Sequence, residues 1–210
     1  MDIKFSTLSA KDFKEVYRIF ADSFYDSAYY RELFPDDAAR LAEFDALVAP
    51  SFDYCLGNGG ALGAVSDGKL LGFNLVVKFE SGSSEEAERI FFDSYIAAGD
   101  KSVPLFREKF KGVLSRYGSA AYFYIGVVDA RYRGMGVGGR LNAEALRRWG
   151  DLPVMAELTS PEIISVYKRL CRDREMSLEK ISDHYHIMTI APKREGEPTS
   201  ERGMQNGRGL

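Results

Sequence analysis

The sequence predicts a single domain of the α/β (α+β) class, and three observations carry that prediction. The 210 residues, 45% of them hydrophobic and 13% aromatic, suit one large domain with a packed core. Asp67-Gly68 stands between two apolar segments, as in a tight β-hairpin. The second half of the chain alternates strand-like and helix-like segments, which is typical of a mixed α and β structure.

The first part of the chain predicts one strand and two helices. A strand over residues 3–8 precedes a helix that begins near Ser9, and Asp12 stands three residues later as in a capping box. A second helical pattern starts near Asp37, and Pro50 is expected to kink or end it. Both helices carry apolar residues at helical spacing, so each should pack one face on a sheet.

The hairpin is followed by a helical insertion and a central strand. The hairpin strands cover residues 61–66 and 69–79, and residues 81–119 look helical twice. The segment 120–128 is apolar on both faces, as expected of a central strand. Gly126 interrupts that strand, which indicates a bulge or a close backbone approach.

The last third of the chain predicts a loop, two helices and three strands. A glycine-rich loop over residues 131–139 opens a helix, and a short strand follows at 154–158. Ser160 is placed to cap the next helix, and residues 176–191 read as two strands. The domain is therefore assigned to residues 1–191, and the polar segment 192–210 is predicted to be a disordered tail.

Composition excludes several classes of protein. Cys55 and Cys171 are too few for a disulfide scaffold. No apolar run reaches the ~20 residues of a membrane span, and the N-terminus lacks a signal-peptide pattern. The net charge of −3 argues against a nucleic-acid partner. We expect a cytoplasmic monomer or homodimer with neither nucleic acid nor membrane as a partner.

The glycine-rich loop Arg133-Gly134-Met135-Gly136-Val137-Gly138-Gly139 is the most informative motif. Such a loop aims several backbone N–H groups at one point, and the start of the following helix adds partial positive charge. Arg131 and Arg140 flank it, so a pyrophosphate is its natural ligand. A tight turn that only needs glycine is the plain alternative.

A dinucleotide-binding motif is a second alternative for this loop. Gly134-x-Gly136-x-x-Gly139 has the required spacing, and Glu157 lies near the expected offset of ~20 residues for a ribose-binding acid. The motif comes late in the chain, however, and the strands before it form a hairpin. A doubly wound sheet needs more parallel strands after the motif.

The same loop resembles a known family. Arg133-x-x-Gly136-x-Gly138 is similar to the acetyl-CoA motif of the GNAT superfamily of N-acetyltransferases. Residues 122–128 resemble that family's fourth strand, and residues 156–160 with Tyr167 resemble its fifth strand and the helix that follows. The chain departs from the family where Cys171-Arg172-Asp173 replaces the usual Gly-Phe, and where only Ser160 stands in for a common Asn.

The resemblance implies a fold and an activity. The fold is a mixed, mostly antiparallel sheet of six to seven strands flanked by helices, with a splayed parallel strand pair at the cofactor cleft. The activity is direct transfer of an acetyl group from acetyl-CoA to a primary amine of a small molecule or a peptide. An NAD(P)-dependent oxidoreductase and a non-catalytic CoA-binding domain remain the alternatives.

The resemblance also assigns roles to residues. Tyr167 corresponds to the tyrosine taken as the general acid for the leaving thiolate, although its apolar stripe also suits a core residue. Glu157 is the first candidate for the base, ahead of Glu80 and Asp129. The cofactor is expected to contact the backbone of Val127 and Val128, the loop, and the residues after the fifth strand. The full cofactor set is Val127, Val128, Arg133, Gly134, Met135, Gly136, Val137, Gly138, Gly139, Ser160 and Tyr167.

Two further features carry weaker expectations. His184 and His186 share a strand face but lack further ligands at suitable spacing, so no metal site is predicted. The insertion over residues 81–119 is rich in aromatic residues. It is expected either to pack on the sheet or to form a wall of the acceptor site.

Overall fold

A computed structural model describes residues 1–82, 85–182 and 185–193, apart from the side chain of Ser182. Most of the predicted tail, residues 194–210, lies outside the described residues, and so does His184. The strands are β1 (Lys4–Thr7), β2 (Ala61–Ser66), β3 (Lys69–Glu80), β4 (Ser119–Val128), β5 (Val154–Leu158), β6 (Met176–Ser182) and β7 (Tyr185–Ile190). The α-helices are α1 (Phe13–Phe24), α2 (Ala28–Leu33), α3 (Arg40–Gly57), α4 (Glu85–Glu88), α5 (Ser94–Ala97), α6 (Val103–Tyr117), α7 (Val137–Trp149) and α8 (Pro161–Leu170).

The described strands form one sheet of seven in the order β1-β2-β3-β4-β5-β7-β6. Among them, β4 and β5 run parallel, and the other neighbours pair antiparallel. The predicted mixed, mostly antiparallel sheet is therefore confirmed. A doubly wound sheet is absent from the described chain, which removes the structural basis of the dinucleotide-binding alternative.

The hairpin between β2 and β3 forms as predicted. Asp67 and Gly68 both have positive φ, at 50° and 72°, which is the conformation of a type I′ turn. The twist of that turn matches the twist of the flanking strands, so two residues suffice to reverse the chain. The long second strand then lies beside β4 and extends the sheet toward its centre.

Helices cover both faces of the sheet. The face that we call the α1 face is covered by α1, α3 and the insertion helices, and the α7 face is covered by α7 and α8. Aromatic residues of the insertion pack closely on the α1 face. Phe92 and Phe106 lie with their ring centroids 5.9 Å and 4.8 Å from that of Tyr122 on β4.

The first half of the chain differs from its prediction in two places. The short helix α2 was not predicted, because its few residues give no clear period. Of the two effects predicted for Pro50, an end of the helix is wrong, since α3 continues to Gly57, and a kink stays a prediction. Phe44, Val48 and Phe52 of α3 are fully buried, and this apolar contact on both sides of Pro50 offsets the hydrogen bond that proline cannot donate.

The sequence predicted either a bulge or a close approach at Gly126, and the bulge of β4 lies two residues earlier. The pairing of β3 with β4 shifts register between Leu75 and Val76, which leaves Tyr124 as the extra residue of a β-bulge. Gly126 instead marks a close approach, because a Cβ there would lie 2.6 Å from Oδ1 of Asn74. In the described part of the chain, no helix has the length and apolar character needed to span a bilayer.

Candidate active site

The parallel strands β4 and β5 part at the centre of the molecule. Their pairing covers three residue pairs and ends where Phe123 lies opposite Ala156. Both strands continue beyond that point, β4 to Val128 and β5 to Leu158. The bulge at Tyr124 begins immediately after the last pair, and a bulge bends its strand away from the neighbour. A wedge therefore opens between the two strands, and the predicted splayed pair is confirmed.

The bulge also decides which backbone groups face the wedge. Asp129 N donates to Leu71 O at 2.9 Å, so the register makes Val127 and Phe73 the next hydrogen-bonded pair along β3 and β4. The backbone groups of Val127 are thus directed toward β3, which corrects their predicted place in the cofactor cleft. The groups of Val128 point the other way, and its carbonyl accepts a hydrogen bond from Arg133 Nε at 3.1 Å.

The glycine-rich loop supplies the end of this wedge. Gly134 and Gly136 have φ of 76° and 77°, a region that residues with a Cβ rarely adopt. Gly136 is the N-cap of α7, and the space beside its missing Cβ is open. Gly138 fits closely, because a Cβ there would lie 3.3 Å from Cγ2 of Val128. The first backbone amides of α7 therefore lie beside the end of β4. Gly134 and Gly136 carry no side chain that could cover these amides.

The other residues predicted around the loop differ in the exposure of their side chains and in their hydrogen-bond partners. Met135 is 61% exposed, whereas Val137 is buried in the core and can contribute only its backbone. Arg133 donates to Ser23 Oγ at 2.8 Å in addition to Val128. Arg140 points away, toward the carbonyl of Ile3 at 3.3 Å. Ser160 occupies the N-cap position of α8, but its Oγ donates to the Glu162 carboxylate and makes no capping hydrogen bond.

A buried carboxylate ties the loop to α1. Asp129 is 3% exposed and accepts hydrogen bonds from the backbone N and the guanidinium of Arg131, at 2.9 Å and 2.6 Å. Arg18 of α1 donates to the same carboxylate. The Arg131 guanidinium, with Arg18, holds the pKa of Asp129 well below its usual range. Because this carboxylate is paired with two guanidinium groups, it does not suit the role of a base.

Tyr167 lies on the α7 face in a buried polar chain. Its hydroxyl donates to Asn142 Oδ1 at 3.0 Å, and Asn74 Nδ2 donates to the same oxygen at 3.3 Å. Asn142 Nδ2 in turn donates to the carbonyl of Gly138 at 3.0 Å. Burial raises the pKa of Tyr167, so the hydroxyl keeps its proton at neutral pH. The tyrosine is thereby connected to the glycine-rich loop, which the sequence did not indicate.

Glu157 lies on the α1 face beside the point where the strands part. The hydroxyls of Tyr122 and Tyr185 donate to its two carboxylate oxygens, and both tyrosines are almost fully buried. Burial raises the pKa of Glu157 to about 7, an effect that these two hydrogen bonds partly oppose. A carboxylate with this pKa can accept a proton near neutral pH.

Sequence reasoning missed the aromatic and acidic groups around Glu157. Asp100, in the loop before α6, is 8% exposed and accepts a hydrogen bond from Tyr29 of α2. The rings of Tyr29 and Tyr185 stack with centroids 6.1 Å apart. The insertion thus contributes a carboxylate to this site. The Asp100-x-Ser102 pair, which forms a turn before a helix, is the one local pattern that could have drawn attention to it.

No metal centre is indicated within the described ranges. Those residues contain no group of three or more His, Cys, Asp or Glu side chains suited to a metal ion. His186 lies on the strand β7, and its predicted partner His184 is outside the described residues. The open glycine cradle and the parted strands instead fit an extended, anionic molecule that is recognised through backbone groups.

Comparison by sequence matches the chain to no protein-family model and to no curated protein. Comparison by structure gives clear matches. The Corynebacterium glutamicum protein named histone acetyltransferase HPA2 and related acetyltransferase matches with a TM-score of 0.65 and 19% identity, over 94% of this chain and 100% of its own. The mosquito arylalkylamine N-acetyltransferase like 5b matches with a TM-score of 0.60 and 16% identity, over 90% and 98% of the two chains.

A third solved structure agrees with these two. The polyamine N-acetyltransferase of Drosophila melanogaster matches with a TM-score of 0.56 and 18% identity, over 90% of this chain and 98% of its own. At such low identity the likeness concerns the path of the backbone. Together with the parted β4–β5 pair and the glycine-opened α7, it shows that this chain has the fold of the GNAT superfamily of N-acetyltransferases.

Proposed function

We propose that the protein is an N-acetyltransferase that moves an acetyl group from acetyl-CoA directly to a primary amine of a small molecule or a peptide. One observation carries the proposal. The gap between β4 and β5 ends at the glycine-opened start of α7, so a free strand edge and a set of helix amides face the same space. The backbone of Val128 suits an extended amide-containing arm, and the amides after Gly136 suit a pyrophosphate.

The side chains on the two sides of the gap fit the proposed reaction. Glu157 would take a proton from the attacking amine, since its raised pKa matches neutral pH. Tyr167 would give a proton to the leaving thiolate, since burial keeps its hydroxyl protonated at neutral pH and Asn142 fixes the position of that hydroxyl. The bound thioester supplies the activated acetyl group, and the chain supplies binding, orientation and proton transfer.

The amine acceptor class is supported by the names of the structural neighbours. They include acetyltransferases of arylalkylamines and polyamines. The partly buried carboxylate of Glu157 beside several tyrosine rings would also suit a cationic amine. A non-catalytic CoA-binding domain is the remaining alternative, and it gives no reason for a carboxylate of raised pKa at the gap.

The proposal is tested by incubating the full chain with acetyl-CoA and a mixture of amines. We expect release of free thiol together with amine products heavier by one acetyl group, and protection against thermal unfolding by acetyl-CoA but not by NAD or NADP. Binding without thiol release across a broad amine panel would favour the non-catalytic domain.

A matched pair of variants tests the position of the cofactor. Gly136→Asp places a negative charge and a strained side chain at the start of α7, so acetyl-CoA should no longer raise the melting temperature. Gly112→Asp lies on α6, which packs on the opposite face of the sheet from α7, and should keep that protection. Undiminished affinity in Gly136→Asp would refute the assignment of the loop.

A further inference from the structure

Two carboxylates from distant parts of the chain share one aromatic cluster on the α1 face. Glu157 comes from β5, and Asp100 comes from the insertion. Asp100 is 8% exposed, and Glu157 is partly buried. Among the ion pairs of the described residues, none includes either carboxylate. Two acidic groups without a described basic partner are unusual in such a setting, because buried charges are ordinarily paired.

A stacked pair of tyrosines connects the two carboxylates. The hydroxyl of Tyr29 donates to Asp100 Oδ2, and the hydroxyl of Tyr185 donates to Glu157 Oε1. The two rings stack with centroids 6.1 Å apart and an angle of 28° between their planes. Each of the two stacked tyrosines therefore binds one carboxylate, and the two carboxylates belong to one aromatic cluster in which the charge of Asp100 acts on Glu157.

Asp100 is also fixed from its other side. Its Oδ1 accepts hydrogen bonds from Ser102 N at 2.8 Å and from Ser102 Oγ at 2.6 Å. With Tyr29 on Oδ2, three donors hold this carboxylate in place. The insertion therefore presents a carboxylate to the site in a fixed orientation.

We infer that Asp100 is a positioning residue that strengthens Glu157 as the base for an amine that enters the site as an ammonium ion. The inference rests on the proposed function. In the step concerned, an N–H bond of the ammonium breaks and an O–H bond to Glu157 forms, which frees the nitrogen lone pair for attack on the acetyl carbon. Asp100 favours this step because protonation of Glu157 leaves one negative charge where there were two.

The other groups that face Glu157 do not compete for this role. They are the hydroxyls of Tyr29, Tyr30, Tyr122, Tyr124 and Tyr185, from α2, β4 and β7. Burial raises the pKa of every one of them, so they stay protonated at neutral pH. Burial also raises the pKa of Glu157, and the charge of Asp100 acts in the same direction.

The coupling can be measured without substrate. The carboxyl carbon of Glu157 would be followed by NMR in the full chain labelled with ¹³C-glutamate, with Glu157→Gln identifying the signal. In Asp100→Asn we expect the pKa of Glu157 to fall by roughly 1 unit, as expected for loss of a nearby charge. Asp93→Asn, an exposed change in the same insertion, should leave the pKa of Glu157 unchanged. An unchanged pKa in Asp100→Asn would overturn the inference.

Kinetics separate this role from a structural one. In Asp100→Asn, the acid limb of the pH profile of kcat/KM should move to lower pH, because the weaker base loses its proton more readily. Asp100→Glu keeps the charge and should keep the limb near its wild-type position, even if it folds less stably. A drop in rate at all pH values with no movement of the limb would instead show that Asp100 only supports the fold. A protein with the shifted NMR signal but no amine acetylation would refute the proposed function and leave the coupling intact.

Discussion

Glu157 and Tyr167 lie on opposite faces of the sheet, on the two sides of the gap between β4 and β5. Glu157 contacts Tyr122 and Tyr185 on the α1 face, whereas Tyr167 contacts Asn142 on the α7 face. In the proposed reaction this separation keeps the two proton transfers apart. The amine would enter from the side of α1 and the insertion, and the thiolate would receive its proton from the side of α7.

Removing the hydroxyl of Tyr167 separates its proposed catalytic role from its role in the core. We expect Tyr167→Phe to lower kcat by roughly 100-fold, as for loss of a general acid. Affinity for acetyl-CoA should change little, because the phenyl ring keeps the same packing. Asn142 Oδ1 keeps its bond from Asn74, so the melting temperature should fall by only a few degrees. Steady-state kinetics and thermal unfolding check this, with the exposed Tyr117→Phe as control. Loss of the folded state would assign Tyr167 to the core alone.

The raised pKa of Glu157 makes stability depend on pH in a defined direction. The folded-state pKa is about 7 against 4.5 for an unperturbed group, so the native state binds more protons between these values. Stability is therefore lost as pH rises from below 4.5 through 7, by about 3 kcal/mol in total for this group.

Urea unfolding at pH 5 and pH 8 measures this contribution. We expect the wild type to lose about 2.5 kcal/mol relative to Glu157→Gln between the two pH values, because glutamine does not titrate and part of the total is already lost at pH 5. Glu43→Gln, an exposed change on α3, should instead follow the wild type. Identical pH dependence in the wild type and Glu157→Gln would show that the carboxylate is solvated like an ordinary glutamate.

The left-handed conformation of Gly136 gives a prediction about stability alone. Its φ of 77° disfavours any residue with a Cβ, so Gly136→Ala should destabilise the protein by about 1–2 kcal/mol although the space beside it is open. Gly112→Ala lies within helix α6, also beside open space, and should stabilise by about 0.5–1 kcal/mol. Chemical denaturation of both variants checks the contrast, and effects of equal sign would contradict the helix-start geometry.

Asp129 and Asp22 both form an ion pair with Arg18, so the two aspartates provide a matched comparison. Asp129 is buried, whereas Asp22 is exposed. Asp129→Asn should cost about 2–3 kcal/mol at pH 7, because it removes a charge that two guanidinium groups share. Asp22→Asn should cost less than about 0.5 kcal/mol.

The pH dependence of this comparison has the opposite sign to that of Glu157. Arg131 and Arg18 lower the pKa of Asp129, so its contribution is present above the unfolded value of 3.8 and is lost as pH falls below it. The difference between the wild type and Asp129→Asn, measured by urea unfolding, should therefore shrink from pH 7 toward pH 3. A constant difference would show that packing, and not charge, accounts for the loss.

Features that depend on a few neighbouring residues were predictable from the sequence. The Asp67-Gly68 turn, the glycine-opened start of α7 and the start of α8 directly after Ser160 all formed as expected. Turn and cap preferences arise from backbone conformation and local hydrogen bonds, which the adjacent residues fix. The GNAT-like order of elements followed from these local signals together with hydrophobic periodicity.

Contacts between distant segments decided the remainder of the site. The bulge at Tyr124 depends on the register of β4 against β3, and it turns the backbone groups of Val127 toward β3 while those of Val128 face the gap. Asp100 reaches Tyr29 across 71 positions of the chain, and Tyr122 reaches Glu157 across 35. The spacing of residues in the sequence tells which face of the sheet a side chain lies on only where the strand contains no bulge. It does not tell which distant segments come into contact. The loop that suits a cofactor was thus a property of the sequence, whereas the carboxylates and tyrosines of the proposed acceptor side were brought together only by the fold.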